Sequence, residues 1–134
     1  TFASALDTRE VIWRIATALA EGRVVNDDLR QRLVALHALS LGHAGMELRD
    51  SAYIWAWDAR RDVRSAILGP IALSALTLLM ERDLSRTKRC EGADCGWLFL
   101  DTTKNKTRRW CEMRVCGNRS KVRAARLRKK LADR

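Results

Sequence analysis

Cysteine occurs in this 134-residue chain only at Cys90, Cys95, Cys111 and Cys116. The intervals are four, fifteen and four residues, so two matched pairs are joined by a short linker. Each pair fits one tight turn, and the linker lets the two turns face each other. A tetrahedral ion needs that arrangement, and Zn²⁺ bound by four thiolates is the reading it favours. Four protein ligands leave no open position, so a single structural metal is expected rather than a catalytic one. Disulfides and buried free thiols are the competing readings. The 89 cysteine-free residues ahead of the cluster, with no apolar leader among them, argue against a disulfide scaffold. Free thiols have no reason to fall in matched pairs.

Charge divides the chain in the same place. Residues 1–85 carry ten Lys+Arg and eleven Asp+Glu, a net −1, whereas residues 86–134 carry sixteen and five, a net +11. An acidic partner for the C-terminal part alone is the implied consequence. The cations are interleaved with Trp97, Phe99, Trp110 and the cysteines, unlike a low-complexity tail. The most apolar stretch, Ile67 to Met80, contains Gly69, Pro70, Ser74 and Thr77 and falls short of membrane-spanning length, so no membrane partner is expected. The chain begins at Thr1 without Met, and an incomplete N-terminal part is expected.

Helical spacing of Leu6, Val11, Ile12, Ile15 and Leu19 predicts a helix over residues 1–22, ended by Gly22. Asn26 or Asp27 caps a second, carrying Leu29, Leu33, Leu36 and Leu39 or Ser40 and closed by Gly42 and Gly45. From Met46 to Asp58, Tyr53, Trp55 and Trp57 alternate with Ile54 and Ala56; this reads as a strand or a hairpin turning at Asp50-Ser51. Pro70 begins or kinks a third helix through Met80. The polar stretch Glu81–Lys88 marks the boundary. His37 and His43 read as surface or hydrogen-bonded core residues, and no catalytic constellation stands out, so an enzyme is not expected.

Cys90 and Cys95 form a first turn, Trp97 to Asp101 suits a strand, Lys104 to Lys106 a turn, and Thr107 to Cys111 a returning strand. Cys116 then lies at the start of a helix reaching about Leu131. On a 100° wheel Ala124, Leu127 and Leu131 share a side with Cys116 and are expected to pack on the knuckle and hairpin. Arg119, Arg123, Arg126 and Lys130 form an adjoining stripe, with Lys121 and Arg128 on a second edge. Arg108 and Arg109 lie just ahead of the third cysteine. Such cations beside a metal-anchored seam suit a phosphate backbone, with a solvated helix face as the bland alternative. The predicted fold class is α+β. A mostly helical N-terminal domain with a short strand or hairpin precedes a zinc-bound knuckle, β-hairpin and C-terminal helix, treble-clef-like in arrangement.

The string from Cys90 through Cys95-Gly-Trp-Leu-Phe-Leu-Asp-Thr-Thr-Lys-Asn-Lys-Thr-Arg-Arg-Trp-Cys111 to Cys116-Gly117-Asn118-Arg119 closely resembles the CGNR zinc finger, named for those last four residues. The resemblance covers about residues 88–130. It implies a bacterial, cytoplasmic protein with the four cysteines as zinc ligands and a finger that binds DNA. It also implies a preceding ABATE domain, found in stress-induced transcription regulators, and residues 1–85 look like its later portion. Glu112 departs from the serine common in the family, placing an acid beside the metal. Gly117 is expected to allow a close approach; Asn118 either bonds the backbone around the site or touches a base, and Arg119 either contacts nucleic acid or braces the knuckle, with bracing favoured for Asn118 and contact for Arg119.

These readings converge on a DNA-binding transcription regulator divided into residues 1–85 and 86–134. The first part would sense a small-molecule effector or mediate assembly. An RNA-binding module is one alternative, because Trp97, Phe99 and Trp110 could stack on unpaired bases if exposed. A zinc-dependent protein-interaction adaptor is another.

Overall fold

The computed structural model describes residues 2–132; the ends of the two expected segments, at residues 1, 133 and 134, lie outside the described residues. Two compact units are present. One comprises the chain up to residue 15 together with 24–83, and the other residues 16–23 together with the chain from 84 onward. The α+β reading holds, with four α-helices and two small antiparallel hairpins among the described residues.

Helix α1 (Phe2–Ala20) buries Thr8, Val11, Ile15 and Ala18, a set recurring every three or four residues. It ends where the Arg23 amide donates to Ala18 O and the Gly22 amide to Leu19 O, the bond pair of a Schellman cap. Helix α2 (Asp27–Leu41) starts at Asn26, whose side chain accepts from the Asp28 amide at 2.8 Å. Asp27 and Asp28 add negative charge at the positive end of the helix dipole.

Strands β1 (Ala44–Arg49) and β2 (Ala52–Trp57) form the first hairpin around Asp50-Ser51, the expected turn, with Asp50 at φ +52°. Asp tolerates that conformation better than most residues. The hairpin opens two residues earlier than the alternation suggested, because Ala44 already pairs with Trp57. Trp57 ties the unit together. Its indole N–H donates to Ser40 O at 2.8 Å, and its ring lies on Gly69 so closely that a Cβ there would be 2.6 Å from the ring.

Helix α3 (Val63–Glu81) contains Pro70 in its interior, so of the two expected roles, beginning or kinking the helix, the first is corrected. Asp62 caps it instead, accepting from the Ser65 amide at 2.8 Å. Pro70 sits inside the helix on its exposed side, while Ser65, Leu68, Gly69 and Ala72 are buried on the other. At nineteen residues, α3 is also longer than the apolar run suggested and reaches the length and composition of a membrane span. Its narrow strip of small residues is what lets α2 and the Trp57 ring pack closely.

In the second unit, a 3-10 turn (Leu84–Arg86) leads into β3 (Thr87–Arg89), which pairs antiparallel with β4 (Leu98–Leu100). This corrects the expected hairpin. The partner of β4 lies before the first cysteine pair, so the knuckle is itself the hairpin's connection. Residues 107–111 do return, but they are held by side chains and isolated backbone bonds rather than as a strand. A π-helical turn (Met113–Gly117) runs into α4 (Asn118–Ala132).

A second correction concerns α4. Leu127 and Leu131 are 57% and 72% exposed and Ala124 is exposed, so the expected seam does not pack on the hairpin. Only Ser120 of this helix is half-buried. A wheel reveals which residues share a face but not whether anything covers that face.

Candidate metal centre

Three chain segments deliver the four thiols. Cys90 follows β3, and its amide donates to Trp97 O at 2.8 Å; the Cys95 amide closes the turn onto Gly92 O at 3.0 Å. The returning segment is drawn in by the Glu91 amide, which donates to Arg109 O at 3.0 Å, bringing Cys111 alongside. The π-helical turn supplies Cys116, whose amide donates to Glu112 O at 3.0 Å. Gly92 lies against the thiols, where an added Cβ would be 3.1 Å from Cys95 Cβ and 3.4 Å from Cys116 Sγ.

All four Sγ atoms lie within 4.8 Å of one another. Cys111 Sγ is 3.7 Å from both Cys95 Sγ and Cys116 Sγ. Zinc–sulfur bonds of ~2.3 Å in a tetrahedron require sulfur–sulfur edges of about 3.8 Å. The separations therefore match zinc thiolates and are far from a disulfide bond of ~2.05 Å. Cys90, Cys95, Cys111 and Cys116 thus form a plausible single zinc site, as the spacing predicted.

The protons on these thiols show what the cluster lacks without a cation. Burial pushes the Cys90 thiol up, but amide hydrogen bonds from Cys111 and Gly92 bring it down to about 7. Hydrogen bonding to Cys111, followed by burial, pushes Cys116 up to about 12. Burial likewise raises Cys111. The cluster accommodates one negative charge readily and resists a second beside it. A divalent cation reverses that preference and supplies binding energy to a unit whose buried apolar residues are few.

The centre rests on a buttress that the sequence did not disclose. Asp101 is fully buried. One carboxylate oxygen accepts from Lys88 Nζ at 2.8 Å and the Arg108 amide at 3.0 Å; the other accepts from the Thr103 amide at 2.9 Å and its hydroxyl at 2.6 Å. Lys88 Nζ also donates to Lys106 O and Arg108 O. Burial would push the Asp101 carboxyl up, but these donors outweigh it and hold it well below the usual carboxylate range. Asp-Thr-Thr after an apolar run was the available signal, because Asp bonds backbone amides two residues on. Nothing marked Lys88 as its partner.

The expected nucleic-acid contacts separate into two groups. The Arg108 guanidinium donates to Trp110 O and Cys111 O and lies over the Phe99 ring at 4.7 Å. Arg109 donates to Glu91 at 2.7 Å and lies over Trp110 at 5.1 Å. These two brace the metal loop. Arg119, Lys121, Arg123, Arg126 and Lys130 are exposed on α4 and make no hydrogen bond or ion pair among the described residues. Asn118 donates its side-chain amide to Arg114 O at 3.1 Å, a bracing role as expected. A Cβ at Gly117 would strike Met113 Sδ. Trp110 donates to Ser120 Oγ at 3.2 Å, tethering the start of α4, whereas Trp97 is exposed.

Residues 86–129 match the family model of the CGNR zinc finger. No curated protein matches the chain.

Proposed function

We propose that this CGNR zinc finger binds duplex DNA through α4, and that the protein is a cytoplasmic, non-enzymatic transcription regulator. One observation carries the reading. Five cations of α4, namely Arg119, Lys121, Arg123, Arg126 and Lys130, are exposed and make no hydrogen bond or ion pair among the described residues, and the helix has no acidic residue among Asn118–Ala132. Mutual repulsion makes such a helix costly unless an anion is bound, and a phosphate backbone supplies regularly spaced anions. The Cys116 thiolate would fix the start of the helix through the metal, and Trp110–Ser120 fixes its first turn.

Residues 1–85, with their resemblance to an ABATE domain, fit assembly better than the sensing of a small-molecule effector. Trp13 and Trp55 are exposed, and Trp57 is engaged by Ser40 and Gly69, so these aromatics do not line a closed pocket together. A second reading, single-stranded RNA, draws on the exposed Trp97. It has one free aromatic, since Phe99 and Trp110 already lie under Arg108 and Arg109.

Binding selections from random duplex and single-stranded pools, each with and without chelator, test the proposal. Enrichment of duplexes that disappears with chelator is the expected outcome. Enrichment of single strands alone would favour RNA, and no enrichment in either pool would leave a protein-interaction adaptor.

A further inference from the structure

The four thiols of the metal centre are not equivalent. Cys90 is buried, and its Sγ accepts two backbone N–H groups, from Gly92 at 3.4 Å and from Cys111 at 3.3 Å. Among the described residues no backbone amide donates to the sulfur of Cys95, Cys111 or Cys116. Cys116 is buried as well, and Gly92 packs against it, where an added Cβ would be 3.4 Å from Cys116 Sγ. Cys95 and Cys111 are half-buried. The chain is open beside Cys95, since a Cβ at Gly96 would meet nothing within 4 Å and Trp97 is exposed. Cys111 is more closely held, with Arg108 donating to its carbonyl oxygen and its own amide donating to Cys90.

We infer that Cys95 and Cys111 form an oxidation site within the zinc centre, at which a hydroperoxide makes one disulfide and expels the metal. Accessible thiolates are oxidised before shielded ones. Amide donors draw charge from the Cys90 sulfur and weaken it as a nucleophile. In the first step the Cys95 sulfur attacks one oxygen of hydrogen peroxide. The S–O bond forms, the O–O bond breaks, and the departing hydroxide takes a proton from solvent. Sulfur gives up two electrons and the peroxide gains them. In the second step the Cys111 thiolate, 3.7 Å away, attacks the sulfenic sulfur. The S–S bond forms, the S–O bond breaks, and the second hydroxide is protonated to water. Two thiolates, one hydrogen peroxide and two protons thus give one disulfide and two waters.

Cys116 Sγ is also 3.7 Å from Cys111 Sγ, so distance alone does not choose the pair. Access chooses it, because attack begins at Cys95 and Cys111 is the thiol in contact with it. Cys90 and Cys116 are then the remaining ligands, too few for a four-coordinate ion. The new bond joins the knuckle to the returning segment, which Glu91 and Arg109 already hold together. Cys116 stays outside it, and the start of α4 loses its link to the other ligands. The inference concerns the metal centre alone and stands whether or not α4 meets DNA.

Limited hydrogen peroxide on the full zinc-loaded chain tests it. A chromophoric chelator follows zinc release over a peroxide-free control, and mass spectrometry maps the disulfide after alkylation of the remaining thiols. Zinc is expected to leave in step with a Cys95–Cys111 disulfide, with Cys90 and Cys116 alkylated. Cys95→His keeps a ligand set that zinc accepts but removes the reactive sulfur, so peroxide should release its zinc more slowly by on the order of tenfold. Cys90→His should release zinc as fast as wild type, because the oxidisable pair is intact. If either histidine variant takes up no zinc, the wild-type disulfide map decides alone. A first disulfide that includes Cys90 or Cys116, zinc loss without a disulfide, or equal release from Cys95→His and wild type would each overturn the inference.

Discussion

Lys88 Nζ lies 2.8 Å from the fully buried Asp101 carboxylate and joins β3 to the loop that delivers Cys111. The pair holds together three segments that a small apolar core would not hold alone. Asp101→Asn should therefore lower the melting temperature of the finger and speed zinc loss to a competing chelator. The sign of its pH dependence follows from the depressed carboxyl. Its stabilisation is complete above the ordinary Asp pKa of ~3.9 and is lost only as pH falls towards the folded value. The melting difference between wild type and Asp101→Asn should stay constant from pH 5 to 8. A gap that changes across neutral pH would contradict this role for the pair.

Zinc binding should displace at least about two protons near pH 7, because the Cys111 and Cys116 thiols are both raised above their ordinary range. Affinity should fall steeply on acidification, as the thiols recover those protons. Competition against a chromophoric chelator at several pH values measures the slope, and native mass spectrometry should find one zinc per chain. Chelation should then remove hydrogen-exchange protection from residues 84–132 and leave residues 24–83 protected. Uniform loss across the chain would mean that the two units do not fold separately.

Gly69 offers a test of the first unit. Gly69→Ala adds helix propensity of ~1 kcal/mol but places a methyl group against the Trp57 ring. Overpacking should win, with a net loss of about 1–3 kcal/mol in urea unfolding. Gly45→Ala is the control, since a Cβ there meets nothing within 4 Å.

The metal ligands were legible because two matched cysteine pairs suit a tetrahedral ion and little else. The Asp50-Ser51 turn and the Asn26 cap were legible because each rests on residues adjacent in sequence. Thr87–Arg89 was not legible as a strand. It is short and polar, and its pairing with Leu98–Leu100 depends on the knuckle folding between them. The start of α3 was not legible while Pro70 could equally begin or kink a helix; the Asp62 cap, seven residues before Gly69, begins it. Arg108 looked like a free cation beside the metal; its role as a brace for Cys111 O depends on a loop conformation that no local pattern encodes.

The salt dependence of duplex binding tests the central claim most directly. If four or five of the exposed α4 cations reach phosphates, log affinity should fall with log salt at a slope of roughly −4, from about −0.9 per contact. Neutralising Arg126 or Lys130 should flatten that slope by about one unit each and weaken binding to every sequence. Arg119→Ala should also relax sequence preference if its position at the helix start brings it to a base edge. Cys116→Ser should abolish binding at all salt concentrations. A salt-insensitive affinity, or full duplex binding by a zinc-loaded variant with Arg119, Arg123, Arg126 and Lys130 all neutralised, would contradict DNA recognition by α4.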